Sequence, residues 1–309
     1  MTNRRPTFRF APSPNGELHI GHALSALIGW RWARRLGGRF LLRIEDIDTG
    51  RARQRYIDQM FDDLNWLGLS WEVPVLRQSE HFDVYRAAAD KLTAMGLLYP
   101  CFATRKEIAA ATADGPDQPT DPDGAPLYPG LYHPRLGGKL MSDEITRRCD
   151  AGEPHALRLD MTRALDKARE ISPDTALTYQ AIDANGTTRD VAAHPQRWGD
   201  AVIVRKDVPA SYHLAVVVDD ARQGVTHVTR GTDLEAATDL HRLLQILLGL
   251  PAPRYHHHRL ILAADGRKFS KGEGAVSLRI LRAQGHSRTD VLAMLGDIDL
   301  ADTTKVPGD

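Results

Sequence analysis

Two histidines three residues apart, His19 and His22, follow the turn-forming stretch Ala11-Pro12-Ser13-Pro14-Asn15-Gly16 and open an apolar helical pattern. Residues at i and i+3 share a helix face, so both rings can reach one ligand from the first turn. That turn carries unpaired N–H groups and positive partial charge, which suits an anion such as phosphate. Imidazoles in this position stabilise charge building on an α-phosphate during attack, an electrostatic role rather than a nucleophilic one. A second pair of cations stands far downstream in Lys268-Phe269-Ser270-Lys271, after the strand-like run Arg259 to Arg267 with its Asp265-Gly266 turn. Two ammonium groups on such a loop can clamp β- and γ-phosphates. Neither GxxxxGK[ST] nor GxGxxG occurs, so a nucleotide site here is of another kind. Taken singly, His-x-x-His is ordinarily a polar helix start and Lys-x-Ser-Lys a solvated loop.

These residues need a scaffold. Thr7 to Phe10 reads as a strand stopped by the Pro-Ser-Pro-Asn-Gly turn, and Ile20, Ala23, Leu24, Leu27 and Ile28 form the buried stripe of a helix running to about Arg35. Phe40 to Ile44 suits a strand buried on both faces, which completes a strand, helix, strand crossover of a parallel sheet. In the far half, the apolar run Leu214 to Asp220 reads as another such strand, followed by a strand over Val225 to Arg230. A helix comes next, with a capping-box pattern at Thr232 and Glu235, a stripe of Leu240, Leu243, Leu244 and Leu247, and a stop at Gly249 and Pro251.

The expected fold is therefore α/β: a Rossmann-type parallel sheet split by an inserted α/β subdomain, with a short helical C-terminal segment. Residues 1–100 hold the first half of the catalytic domain and 101–195 the insertion, whose Ala113 to Gly130 stretch, rich in Pro, Gly and Asp, reads as an exposed loop. Residues 196–250 give the second half, and 251–309 the lysine loop and a tail, helical over Val276 to Gln284 and again behind a Ser287-to-Asp290 capping box.

Length and composition bound the partners. A chain of 309 residues with 42% hydrophobic content can bury a sizeable core, and 40 basic against 40 acidic residues give no global attraction to nucleic acid or membrane. A polyanion must be held by a local patch. No apolar run approaches the roughly 20 residues of a membrane span, and the N-terminus lacks a signal peptide's apolar core, so a cytoplasmic protein is expected; a monomer is taken as the starting assumption and is not read from the sequence. Cys101 and Cys149 read as two reduced thiols.

In order and context, His19-Ile20-Gly21-His22 and Lys268-Phe269-Ser270-Lys271 resemble the HIGH and KMSKS signatures of class I aminoacyl-tRNA synthetases. Arg9-Phe10-Ala11-Pro12-Ser13-Pro14, Arg43 to Asp48, Tyr212 to Asp220 and Val228-Thr229-Arg230-Gly231 are similar to the glutamyl branch of that class, and the likeness covers nearly the whole chain. An acidic amino acid needs a guanidinium for its side chain and an acid for its ammonium. The resemblance implies a glutamate pocket of Arg9, Ala11, Ser13, Glu45, Tyr212 and Arg230, ATP binding by His19, Gly21, His22 and Lys271, and catalysis by His19, His22, Lys268 and Lys271, with ATP carrying Mg²⁺. After Lys271 too little sequence remains for the large helical anticodon-binding domain of the full-length enzymes. The likeness is therefore closer to truncated, glutamyl-queuosine-forming paralogues, which transfer glutamate to queuosine at the wobble position of tRNA(Asp) and activate glutamate without RNA. A glutamyl enzyme with another acceptor, a small-molecule adenylating ligase and a non-catalytic RNA-binding relic are the competing readings.

Many members of the branch hold a structural zinc in the insertion. Here Cys101-Phe102-Ala103, Tyr128 and Tyr132 leave one thiolate and a phenol, so no metal is expected. His256-His257-His258 alternate faces if they lie in a strand and cannot converge on one ion, although one ring can face a nucleotide. Arg31, Arg34, Arg35 and Arg51, Arg53, Arg55 are either solvated helix faces or contacts to RNA phosphates.

Overall fold

The computed structural model describes residues 5–113, 119–137, 142–173, 176–261 and 276–296. In chain order the elements are β1 (Thr7–Phe10), α1 (Ile20–Arg35), β2 (Arg39–Ile44), α2 (Gln54–Trp66), β3 (Glu72–Arg77), α3 (Phe82–Ala94) and β4 (Leu98–Cys101). Then come α4 (Arg105–Ala111), α5 (Ser142–Asp150), β5 (Ala156–Leu159), α6 (Met161–Ile171), β6 (Thr178–Ile182), β7 (Thr188–Ala192) and β8 (Val202–Val204). The far half holds α7 (Tyr212–Arg222), β9 (His227–Gly231), α8 (Ala237–Leu248), β10 (Arg254–His258), α9 (Leu278–Ala283) and α10 (Arg288–Leu295).

Among the described residues, seven strands form one sheet in the order β3-β2-β1-β9-β10-β6-β7, with every neighbouring pair parallel except the antiparallel β6–β7 hairpin. This is the α/β, Rossmann-type sheet expected from the sequence. A second, antiparallel sheet joins β4, β5 and β8. The span 101–195 is shared between the two sheets, because β6 and β7 extend the large one.

Alternation along the strands sorts the large sheet into two unlike faces. On one, Phe8, Phe10, Phe40, Leu42 and Ile44 pack against α1 and α2 in an apolar cluster. On the other, Arg9, Arg43 and Arg230 stand at positions of the opposite parity, with Arg9 registered to Leu41 on β2 and to Val228 on β9. This second face meets α7 and α8, whose apolar sides join α3 and α6 in the largest core cluster. Gly29 lets α1 lie close to the sheet, since a Cβ there would stand 2.8 Å from Thr229 Oγ1.

Two expected elements differ. Leu214 to Asp220 is helix α7 rather than a strand: Ser211 caps it by accepting the Leu214 N–H, and every residue from Leu214 to Asp220 is buried. A helix buried all round shows no 3.6-residue period, so a short apolar run cannot be distinguished from an interior strand by pattern alone. The Thr232–Glu235 capping box does not form either. Thr232 to Leu234 make a 3₁₀ turn instead, and α8 begins after Ala236 with no side-chain cap. Its end at Gly249, in the left-handed conformation at φ 66°, is as the sequence implies.

The tail folds back onto the α1 side. Leu278, Leu281, Val291 and Leu295 enter the α1 cluster, Arg282 pairs with buried Asp63 at 3.2 Å, and the Ser287 capping box opens α10. Among the described residues no helix is long and apolar enough to cross a membrane. Leu278 is fully buried and its N–H donates to the Leu18 carbonyl at 2.8 Å, which pins the tail beside the start of α1. Leu278→Ala is expected to cost about 2–5 kcal/mol of folding stability. Urea unfolding measures this, and a loss below about 1 kcal/mol would mean that the tail is not docked through this side chain.

Candidate functional site

The order of strands reverses between β1 and β9: from β1 the chain steps outward to β2 and β3, whereas β9 and β10 lie on the other side. In open α/β sheets ligands bind beyond the carboxyl ends of the strands at such a point. There the structure has a cavity of about 430 Å³. It is lined by all six residues of the expected glutamate pocket, Arg9, Ala11, Ser13, Glu45, Tyr212 and Arg230, and by His19, Gly21 and His22. A side cavity of about 160 Å³ shares Ser13, Asn15, Glu45 and Tyr212 with it and adds Asp48, Arg51 and Arg205. Lys268 and Lys271 lie outside the described residues.

The floor is a row of buried charges. Arg9 Nε donates to Asp220 Oδ1 at 3.0 Å, Arg43 reaches the same oxygen at 2.8 Å, and the other Arg43 nitrogen meets Glu45 Oε1 at 3.2 Å. Arg43 is 0% exposed. Burial opposes its charge, but Asp220, Glu45 and Asp219 outweigh burial and raise its pKa. Burial also works against Asp220, yet the two guanidiniums hold its carboxyl below the ordinary value. Glu45 is different: burial, reinforced by Asp220, pushes its pKa up despite Arg43 and Arg9. A cation arriving beside Glu45 would relieve that strain. Next to Asp220, Asp219 accepts from Gln78 at 2.9 Å and from Tyr85 at 2.7 Å, fastening α7 to α3 and to the turn after β3.

Arg230 stands outside this row. It is 4% exposed, and its hydrogen bonds run to Thr238 Oγ1 at 2.7 Å, His241 Nδ1 at 3.3 Å, His257 Nε2 at 3.4 Å and the Tyr212 hydroxyl at 3.4 Å. Among the described residues none of its partners is a carboxylate. Burial and the charge of Arg230 depress the nearby imidazoles, His213 to about 4 and His257 to about 3, with His241 also well below its ordinary value. A buried guanidinium surrounded by neutral acceptors, on the wall of a cavity, suits an anionic ligand.

The opening of α1 is capped by the two imidazoles themselves. His19 Nδ1 accepts the Gly21 N–H at 3.1 Å and His22 Nδ1 accepts the His19 N–H at 3.2 Å, a capping box built from rings whose centroids lie 3.8 Å apart. With Nδ1 accepting, a neutral ring carries its proton on Nε2. A Cβ on Gly21 would stand 3.0 Å from His19 Cε1, so glycine is what allows the ring to lie there. Ser25 and His258 meet at 2.7 Å on the same wall, and the Thr229 hydroxyl, 4% exposed, has no hydrogen-bond partner among the described residues. Ile261 lines the cavity and Ser277 forms a β-bridge with His19.

The other candidates fall apart from this centre. The three histidines of β10 alternate as expected: His256 bonds the Ile182 carbonyl, His257 faces Arg230, and His258 turns to Ser25 and lines the cavity. Cys101 donates to the Tyr128 hydroxyl at 3.3 Å, in a cluster with Phe102, Ala103 and Tyr132. Arg158 stacks on Tyr128 and Arg148 on Phe102, and a donor set of one thiol and phenols beneath two guanidiniums does not fit zinc. Cys149 packs against this cluster from α5, its thiol pushed up by burial. Among the basic residues, Arg34 stacks on Trp30, Arg55 on Tyr56, and Arg53 bonds the Gly50 and Ala52 carbonyls, whereas Arg51 lines the side cavity.

Sequence reasoning assigns no role to Asp220, Thr238, His241 or Thr229. Asp220 sits within a motif run, but its partners are 211 and 177 residues away, and nothing local signals them.

Over residues 7–302 the chain matches the family described as tRNA synthetases class I (E and Q), catalytic domain. It is 43% identical over 293 residues to the glutamyl-Q tRNA(Asp) synthetase of Rhodobacter capsulatus, a match covering 93% of this chain and 99% of that protein. The glutamate–tRNA ligase of Aquifex aeolicus is 36% identical over 281 residues, 90% of this chain and 54% of that protein. Among solved structures, the glutamate-tRNA synthetase of Elizabethkingia anophelis superposes with a TM-score of 0.68 at 27% identity, covering 92% of this chain and 54% of that one.

Removing the shared carboxylate tests the buried row. Asp220→Asn leaves Arg9 and Arg43 short of a counter-ion, and the expected loss at neutral pH is about 3–5 kcal/mol. Because the folded-state pKa of Asp220 lies below its ordinary 3.8, its contribution is complete above that value and fades as the pH falls further. The stability gap between wild type and variant should therefore shrink on acidification below 3.8; a gap that is small at pH 7, or that widens in acid, contradicts the assignment.

Proposed function

The chain belongs to the class I (E and Q) tRNA synthetases, an enzyme family of ligases, and on that premise we propose that it activates L-glutamate with ATP and transfers the glutamyl group to queuosine at the wobble position of tRNA(Asp). The observation that carries the choice of amino acid is Arg230, a buried guanidinium whose partners among the described residues are all neutral, on the wall of a cavity that also holds Glu45. In this reading Arg230, with Arg9 and Tyr212 beside it, receives the side-chain carboxylate, and Glu45 receives the α-ammonium, whose charge offsets the burial that raises its pKa. Ala11 and Ser13 form the wall between them.

The α-carboxylate oxygen of glutamate attacks the α-phosphorus of ATP, the bond to the bridging oxygen breaks, and pyrophosphate leaves. His19 and His22 stabilise the charge that builds on the α-phosphate, each donating from Nε2, with the N–H groups of the first turn of α1 adding positive potential. Gly21 keeps the backbone close, and the Thr229 hydroxyl supplies a further hydrogen-bonding group for the nucleotide. Lys268 and Lys271 act on the β- and γ-phosphates from a segment whose flanks border the cavity. Mg²⁺ supplies charge neutralisation when bound. Among the described residues no cluster of three or more His, Cys, Asp or Glu is arranged to hold a metal. In the second step a hydroxyl of the queuosine cyclopentenediol attacks the carbonyl carbon of glutamyl-adenylate, loses its proton, and AMP departs.

The acceptor reading is supported by the near end-to-end match to the Rhodobacter capsulatus protein. The similarity to glutamate–tRNA ligases makes the 3′ end of tRNA(Glu) the competing acceptor. Arg51 and Arg205 line the side cavity, which shares Glu45 and Tyr212 with the main one.

Glutamate-dependent ATP–pyrophosphate exchange is expected without added RNA, and Lys271→Ala should lower it by about two orders of magnitude or more while glutamate binding persists. Labelled glutamate should be transferred to tRNA(Asp) containing queuosine and not to the same RNA lacking the modification. Transfer that survives loss of queuosine, or that occurs on the 3′ end of tRNA(Glu), rejects the acceptor.

A further inference from the structure

Arginine only donates hydrogen bonds, so the contacts of Arg230 fix the proton positions around it. His241 Nδ1 must accept from Arg230, which places the His241 proton on Nε2, directed at His213 Nδ1 at 3.2 Å. His213 then carries its own proton on Nε2. On the opposite side His257 Nε2 accepts from Arg230 Nε, and the Thr238 hydroxyl, while accepting from Arg230 at 2.7 Å, can donate to His257 Nε2 at 3.1 Å. Among the described residues every partner is an uncharged acceptor held by α8, β10 or the start of α7, and Thr238 and His241 are one turn apart on α8. The contrast with Arg9 and Arg43 is informative: those two share Asp220, whereas Arg230 is oriented without being neutralised.

We propose that Thr238, His241 and His257, backed by His213, are positioning residues that set amino-acid selectivity: they aim Arg230 at the cavity while leaving its positive charge to be matched by the ligand. This rests on the reading that Arg230 receives the substrate's side-chain carboxylate. A carboxylate built into the cage would satisfy Arg230 internally, removing the advantage of glutamate over its uncharged amide, glutamine. A neutral acceptor in the same place would not.

The test compares exchange driven by glutamate and by glutamine in wild type, His241→Glu, Thr238→Asp and His241→Gln. The ratio of kcat/KM for the two amino acids is taken on one preparation, so it does not depend on how much protein is folded. Both acidic variants are expected to lower that ratio by about tenfold or more, mainly through KM for glutamate, and His241→Gln to keep it within about threefold of wild type. Acidic variants that retain the wild-type ratio, or a His241→Gln variant that loses as much as they do, overturn the proposal. If the acidic variants do not fold, ¹⁵N shifts of the wild-type histidines decide it: an unprotonated Nδ1 on His241 at neutral pH supports the cage, and a protonated one refutes it. Wild type without glutamate-dependent exchange would reject the functional reading instead, while the nitrogen shifts would still report on the cage.

Discussion

Four buried charges in a row, Arg9, Asp220, Arg43 and Glu45, tie the start of the chain to its far half. The first and third come from neighbouring strands, the second from α7, and the fourth from the end of β2. Signs alternate along the row, so each interior charge has two opposite neighbours and no net charge is buried. In the low-dielectric space between sheet and helix such an arrangement fixes direction as well as distance, because a guanidinium has its donors in one plane. Arg9 and Glu45 are thereby presented at the cavity from opposite ends of a rigid unit.

The two faces of the sheet divide the labour. The α1 side is apolar and close-packed, with Phe8 stacked on His227 at 4.6 Å and Gly29 admitting the helix almost to the strands. The α7 and α8 side carries the ionic row and the cage around Arg230. Parity along the strands produces this division, since Arg9, Arg43, Arg230 and His257 fall in one set and Phe8, Phe10, Leu42 and Ile44 in the other. The cavity opens where both sides meet, at the tips of β1 and β9, so a bound nucleotide and a bound amino acid can be held by different faces of one sheet.

How much of this could be read from the sequence depended on whether the signal was local. The first crossover was legible, because Thr7 to Phe10, the stripe from Ile20 to Ile28 and Phe40 to Ile44 each carry their period within a few residues. The residues singled out at motif positions, Arg9, Ala11, Ser13, Glu45, Tyr212 and Arg230, line one cavity. Helix α7 was not, since burial on every side erases the pattern that separates helix from strand; the serine at position 211 was the available hint. The ionic row and the cage were beyond reach for a different reason. Asp220 looks like any helix acid until Arg9 and Arg43 are folded against it, and His241 looks like a core histidine until Arg230 is seen to need its lone pair.

Because His19 and His22 cap their own helix, the first turn of α1 is already ordered before any ligand enters. The rotational freedom of both rings is surrendered during folding and not at the moment of encounter, so association with an anion carries little further entropic penalty from this part of the protein. Preorganisation of this kind is settled when the chain folds, and its cost is carried by the folded protein as a whole.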